Sequence, residues 1–252
     1  MNNLQNLNIV ALIPARSGSK GIIDKNIKKY KGLPLMAHSI ILAKQSEYIN
    51  NVYVSTDSQQ YANIAIEHGA EVPFLRPPEL SNDLSSDYEC FKHFLEWMIY
   101  NKQVLPDIIV HLRPTYPNRT IQLLNLSIEL FLKEYNNYDS LRSVVPYKKT
   151  PFKMYHINYD VNNNNLLIPF LKEDPYHRFN EPYNQARQNF PETFLHNGCI
   201  DIIKSSVILN NNLLSGTRIY PFIMDEDETN DIDDLDDFDK SEKGNKRQCK
   251  DL

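Results

Sequence analysis

Apolar and polar positions along this chain follow two rhythms. Short, continuous apolar runs alternate with longer stretches in which apolar residues recur at helical spacing. The run "NIVALIPA" predicts a strand buried on both faces, because it is apolar throughout and leads into a glycine loop. "LPLMAHSIILAKQS" predicts a helix with Pro34 in its first turn. "NVYVSTD" predicts a second strand, and "SQQYANIAIEHGAEV" a helix capped by Ser58 and stopped by Gly69. "AEVPFL" reads as a third strand. "SSDYECFKHFLEWMIY" reads as a helix capped by Ser85 or Ser86, and "PDIIVHLRP" as a fourth strand. "TIQLLNLSIELFLKEY" and "SLRSVVP" add a helix and a fifth strand.

This alternation predicts an α/β fold: a doubly wound, mostly parallel, Rossmann-like sheet with helices on both faces. Ligands on such sheets bind beyond the carboxyl ends of the strands. The glycine loop, "STD", "RPT" and "VPYKKTP" all fall there. From about 147 to 192 the rhythm breaks into prolines, aromatics and the run Asn162 to Asn165. That segment reads as an inserted lobe with the asparagines at a loop tip, since it carries too many aromatics for a disordered linker. "TFLHNGCIDII" and "GTRIYPFIM" then return as strands. The expected organisation is one domain over 1–240 that carries the lobe. A polar tail over 241–252 has the composition of a disordered end.

Composition narrows the function classes. Hydrophobic residues make up 41% of the 252 and charged residues 23%, ordinary for a soluble globular chain. No apolar run approaches the ~20 residues of a membrane span, and "MNNLQNLNIV" lacks the basic-then-apolar order of a secretion signal. Neither a membrane nor a nucleic acid is expected as partner; the net charge of -5 gives no basic face for the latter. Cys90, Cys199 and Cys249 are far apart and lack zinc spacing, so a reducing cytoplasm is the simplest home. The acidic excess gathers in "DEDETNDIDDLDDFD", residues 225 to 239.

Two stretches carry candidate chemistry. "IPARSGSKGIIDKN" places two of the chain's 7 glycines after the first strand, among cations. It matches neither a P-loop nor a dinucleotide fingerprint. Its small residues can turn backbone N–H groups toward phosphate oxygens, with Arg16, Lys20 and Lys25 as cations; a solvated turn fits the same residues. In "DID", Asp231 and Asp233 would share one face of a strand and could reach one hard cation such as Mg2+. A plain solvated acidic face fits as well. Together the two stretches are what metal-dependent phosphoryl or nucleotidyl transfer requires.

The ordered set "IPARSGSKGIIDKN", "VSTDS", "FLRPPELSNDLSS", "RPTYP", "PYKKTPFK", "ARQNFPETFLHNG" and "DID" resembles the acylneuraminate cytidylyltransferases, or CMP-sialic acid synthetases, over about residues 8 to 238. The resemblance implies an α/β homodimer with a small dimerisation lobe. It implies an enzyme that joins CMP from CTP to a nonulosonic, keto sugar acid with Mg2+ and releases pyrophosphate. Arg16, Ser17, Gly18 and Lys20 would then hold the triphosphate, with Lys25 and Asn26 also facing CTP. Arg76, Ser85 and Ser86 would read base and ribose. Lys153, Arg187 and Asn197 would lie near the sugar acid or the reacting phosphate, and Asp231 and Asp233 would bind the metal. Arg16, Lys20, Asp231 and Asp233 would carry the catalysis.

Two positions depart from the family pattern. Arg113 stands where a glutamine touches the sugar, and Asp201 where a tyrosine lines the sugar pocket. Both bear on substrate binding. Their charges are opposite, so either two independent changes occurred or the two form one hydrogen-bonded pair that alters the acceptor. His111 and a metal-bound water are candidate general bases, and His111 also reads as a structural residue. A nucleotidyltransferase for another sugar or sugar phosphate, a metal-dependent glycosyltransferase and a non-catalytic nucleotide-binding protein remain as rivals.

Overall fold

The computed structural model describes residues 7–159, 165–173, 175, 178–225 and 231–243. The chain divides into two compact units. One is built from the residues up to Ser143 and from Asn197 onward; the other is Val144–His196.

Strand β1, Ile9–Pro14, is the centre of the first unit, and its residues from Ile9 to Ile13 are at most 4% exposed. It pairs in parallel with β4, Asn51–Ser55, and with β5, Ile108–His111. Further along lie β6, Ser140–Tyr147, β9, Thr193–Lys204, and β10, Ile219–Ile223. The sheet order is β10-β6-β9-β5-β1-β4, and β9 runs antiparallel to β5. The short pairs β2, Lys29–Tyr30, and β3, Leu33–Pro34, form a separate ribbon just before the first helix.

The helices begin where side chains can cap them. Ser58 accepts from the Tyr61 amide at α2, Gln59–Glu67, and Thr120 from the Leu123 amide at α4, Ile121–Lys133. Helix α3, Asp87–Tyr100, has Ser86 and Glu89 in a reciprocal capping box, so Ser86 and not Ser85 is its cap. Pro34 directly precedes α1, Leu35–Gln45. Gly69, at φ +94°, ends the α2 turn in a conformation that a side chain would strain. The buried stripe of α3, Phe91, Phe94, Leu95 and Met98, packs on Val10 and Leu12 of β1, on Ile109, and on Ile208 of α5, Ser205–Asn211. Helix α1 packs against α2 and α4.

Two expected strands are absent. "AEVPFL" touches its neighbours only through isolated bridges, Tyr53 to Glu71 and Thr56 to Leu75. Pro73 lies between them and has no N–H to give a ladder. "DID" is also not a strand: its one interstrand-like bond runs from the Ile232 amide to the Thr115 carbonyl at 3.0 Å. Helix α6, Leu235–Lys243, starts immediately afterwards and continues past residue 241, where the polar tail was expected to begin. Its sequence shows little apolar period because one residue anchors it. Phe238 is buried with Ile22, Tyr30, Leu35 and Ile232, and the Tyr30 hydroxyl donates to the Ser241 carbonyl at 2.9 Å. Residues 244–252 lie outside the described residues.

The second unit contains the expected lobe segment. Its hairpin pairs β7, Tyr155–Asn158, with β8, Leu166–Pro169. Residues 160–164, with most of the asparagine run, lie outside the described residues. Phe152 stacks on Phe190 with ring centroids 4.3 Å apart, which gives this unit an aromatic core. Among the described residues, no helix is long and apolar enough to cross a membrane.

Phe238→Ala should lower the unfolding free energy by about 3 kcal/mol, as expected for removing a buried ring, measured by urea denaturation. Unchanged stability would show that α6 adds nothing to the core.

Candidate active site

A cavity of about 480 Å3 opens at the carboxyl ends of β1 and β5. It collects Arg16, Lys20, Lys25, Asn26, Arg76, Ser85, Ser86, Arg113 and Asp233 from the residues singled out in the sequence. It also takes in Asp83, Asp87, His111 and Thr115. The cavity lies where the sequence places the candidate residues, beyond the carboxyl ends of the strands.

The loop after β1 is held by its own side chains. The Ser17 amide and hydroxyl both donate to Asp57, at 2.7 and 2.6 Å. Desolvation works to raise the Asp57 carboxyl, but these bonds outweigh it and keep it below the usual carboxylate range. Asn26 is buried and donates to the Arg16 carbonyl at 2.9 Å. Gly18 supplies a φ of +70°. Ser17 and Gly18 shape the loop and do not line the cavity. Arg16 and Lys20 reach across to Asp83, at 2.9 and 2.5 Å. Hydrogen bonds from Lys20 and then Arg16 hold the Asp83 carboxyl below its usual range.

The acidic segment docks on this loop. A Cβ on Gly21 would come within 2.8 Å of the Asp233 carbonyl oxygen, so only glycine allows the approach. Lys25 Nζ donates to the Ile232 carbonyl at 2.9 Å and lies 3.5 Å from Asp233. Ile232 is fully buried while Asp231 and Asp233 on either side are exposed, so the two carboxylates turn outward together without a strand. Asp231 keeps a solvent-exposed edge. Even so, desolvation by the surrounding protein pushes its carboxyl above the usual range, and the charge of Asp233 adds to the effect. A divalent cation would relieve that repulsion, so the donor chemistry fits one. No group of three or more His, Cys, Asp or Glu suited to a metal occurs among the described residues. A cation here would therefore draw further ligands from phosphate oxygens and water.

At the other end of the cavity the expected pair forms. Arg113 Nη1 donates to Asp201 Oδ2 at 2.9 Å and to the Gly198 carbonyl at 3.0 Å, and Nη2 donates to Asp87 Oδ2 at 2.9 Å. Arg142 lies 3.3 Å from the other Asp201 oxygen. Gly198 has φ +74°, which a side chain would strain, and a Cβ there would sit 3.2 Å from Arg113 Nη1, a tight contact. His111 pairs with Asp201 across the β5–β9 ladder. It is fully buried, and neither ring nitrogen has a hydrogen-bond partner among the described residues. Burial, with the Arg113 charge next, pulls it down to about 3, so the ring is neutral near pH 7.

Other singled-out residues are engaged within the fold or lie away from the cavity. Ser86 is engaged as a helix cap, and Ser85 donates to the Glu79 carbonyl at 3.3 Å; both still border the cavity. Arg76 is buried and its Nε has no partner among the described residues. Asn197 does not line the cavity. Its side chain accepts from Ser143 at 2.6 Å and from the Cys199 amide at 3.1 Å, which makes it a turn-former. Lys153 and Arg187 belong to the second unit, where Arg187 borders a small cavity with Thr150, Gln188 and Phe190. Sequence reasoning passed over Asp57, Asp83 and Asp87. The acidic residue that starts a helix after a serine cap was a readable feature of Asp87; the other two carry no local signal.

The family model described as cytidylyltransferase matches residues 10–197. The chain belongs to the cytidylyltransferase family. Among its relatives is the N-acylneuraminate cytidylyltransferase of Escherichia coli O18:K1:H7, 32% identical over 225 residues. That alignment takes in 89% of this chain and 49% of the relative, so the chain spans about half the length of that protein. The CMP-N,N'-diacetyllegionaminic acid synthase of Campylobacter jejuni is 30% identical over 225 residues, 89% of each chain. The solved structure of CMP:2-keto-3-deoxy-manno-octonic acid synthetase with CTP has the same fold at a TM-score of 0.65. It is 16% identical, with 94% of this chain and 97% of that one covered. The expected α/β class and the expected resemblance to the acylneuraminate cytidylyltransferases are both borne out.

For a cytidylyltransferase the Gly21 contact makes a direct prediction. Gly21→Ala should lower CTP-dependent turnover by about 10- to 100-fold, because the added methyl displaces Asp233 from the loop. Steady-state pyrophosphate release checks this, and wild-type turnover would show that the contact sets nothing.

Proposed function

We propose that the protein transfers CMP from CTP to the anomeric hydroxyl of a nonulosonate-like keto sugar acid. The hydroxyl oxygen attacks the α-phosphorus in line, the bond from that phosphorus to the β-phosphate oxygen breaks, and pyrophosphate leaves. The observation that carries this reading is the docking of the Asp231–Asp233 segment against the cationic loop through Lys25 and Gly21. Arg16 and Lys20 would exchange Asp83 for the triphosphate and stabilise charge on the departing pyrophosphate. Arg76, Ser85 and Ser86 border the same cavity and suit the nucleoside. Asp231 and Asp233 would hold Mg2+, which supplies Lewis-acid polarisation of phosphate oxygens. His111 does not suit the role of general base, since its environment keeps it a weak proton acceptor.

The relatives named for N-acylneuraminate and for diacetyllegionaminic acid support a nonulosonate as acceptor. The test is pyrophosphate release with four nucleoside triphosphates against a panel of keto sugar acids and sugar phosphates. CTP with a nonulosonate, and Mg2+ present, should give turnover. Asp231→Asn and Asp233→Asn should each remove most of it while leaving thermal unfolding nearly unchanged, because exposed carboxylates add little stability. Turnover with another nucleotide, or only with sugar phosphates, would replace the reading. Full activity in both variants would remove the metal assignment.

The same reading includes a cytoplasmic homodimer formed through the second unit. Ile157, Leu166, Leu167 and Phe170, on and just beyond the β7–β8 hairpin, are 45% to 65% exposed, and an apolar patch of this kind on a small unit suits a partner surface. Light scattering at micromolar concentration should give twice the chain mass, and Leu167→Asp should give the single chain. A fully active monomer would exclude the assembly.

A further inference from the structure

Arg113 does not confront the cavity as a lone cation. Its guanidinium is gripped between Asp201, 2% exposed, and Asp87, 38% exposed, each at 2.9 Å. Arg142 lies 3.3 Å from Asp201 on the other side. The two aspartates offset much of the charge of Arg113 where it faces the cavity, and this end of the cavity is crowded with fixed hydrogen-bonding atoms.

The fold explains the gathering. His111 and Arg113 are two residues apart at the end of β5, and Asp201 faces His111 across the ladder. Asp87 is the first residue of α3 and stands four positions before Phe91, whose ring packs edge-on against His111 at 4.7 Å. A helix N-terminus favours a carboxylate at Asp87. Burial works to raise this group, but the charge of Arg113 and the hydrogen bond it donates outweigh burial and hold the carboxyl below its usual range. One member of the cluster is left with bonding capacity toward the cavity: Asp87 lines it and is 38% exposed, with its Oδ2 engaged by Arg113. His111 lies behind it, fully buried, with Nδ1 3.9 Å from Asp201.

Resting on the functional reading above, we propose that the Asp87 carboxylate is the hydrogen-bond acceptor of a subsite for a neutral, donor-bearing substituent of the acceptor sugar acid, a hydroxyl or an amide N–H. Arg113 and Asp201 are positioning residues that fix Asp87. The subsite selects acids by that substituent. It does not bind the nucleotide.

The test uses the full-length protein, CTP, the keto sugar acid that gives the best turnover, and analogues of that acid each lacking one hydroxyl or amide. Asp87→Ala should raise KM for the acid about tenfold, the scale of a lost hydrogen bond to a charged group. KM for CTP should stay within about twofold and kcat within about threefold, as expected for a uniform binding contact to one substrate. For at least one analogue the wild type should lose about tenfold in kcat/KM while Asp87→Ala loses nothing further. A purely structural role would not produce that loss of discrimination. Asp87→Asn, which keeps the side-chain shape at the helix start, is the second variant and should lose the same discrimination. Equal sensitivity of variants and wild type to every analogue overturns the subsite, as does a rise in KM for CTP in place of the acid. A wild type inactive with every keto sugar acid overturns the functional reading itself, and the subsite with it.

Discussion

The burial of Ile232 is the contact on which the site depends. Its side chain is fully enclosed with Ile22, Tyr30, Leu35 and Phe238. Ile22 belongs to the loop after β1, and Ile232 comes from near the far end of the chain; Lys25 reaches the Ile232 carbonyl across 207 positions of sequence. Two polar stretches so remote would not stay together through charge, because exposed ion pairs contribute little. An apolar residue between two acidic ones does the joining, and α6 closes the cluster with Phe238. The carboxylates are then presented as a consequence of what is buried between them.

The cations of the loop are held in a replaceable arrangement. Asp83 occupies Arg16 and Lys20, yet all three side chains remain open to solvent. Such pairs are easily exchanged. An anion with several phosphate oxygens offers both cations more than one carboxylate can. Asp57 works differently, since it binds the loop at the backbone amide and hydroxyl of Ser17 and leaves the cations untouched. One acidic residue thus fixes the loop's shape and another acts as its counterion before the ligand arrives.

The sequence made legible what depends on neighbours along the chain. The cap at Ser58, a serine cap at Ser85 or Ser86, the buried β1 and the glycine loop all follow from a few adjacent residues. "AEVPFL" has strand composition, but a proline removes the donor that a ladder needs, and β-propensity yields to that. The alternation in "DID" predicts a strand, yet the segment is not one: exposed, buried and exposed residues in a row need only an extended segment pinned at its middle residue. Helix α6 escaped notice because a single buried ring anchors it. Asp83 and Asp87 look like ordinary helix-start and surface charges until the fold supplies the arginines that face them.

The two ends of the cavity therefore differ in how they are encoded. The end at the glycine loop lies mainly in one loop and one short acidic segment, so it is encoded in local motifs. The other end draws Asp87 from a helix start, His111 and Arg113 from the end of β5, Arg142 from β6 and Asp201 from β9. Only the antiparallel register of β5 with β9 brings His111 opposite Asp201. Removing Arg113 would take a 2.9 Å partner from the nearly enclosed Asp201 carboxylate while Arg142 stays 3.3 Å away, so charges at this end are coupled to one another. Arg113 and Asp201, the two positions that on the resemblance stand in place of a glutamine and a tyrosine, meet at 2.9 Å, which fits a joint change.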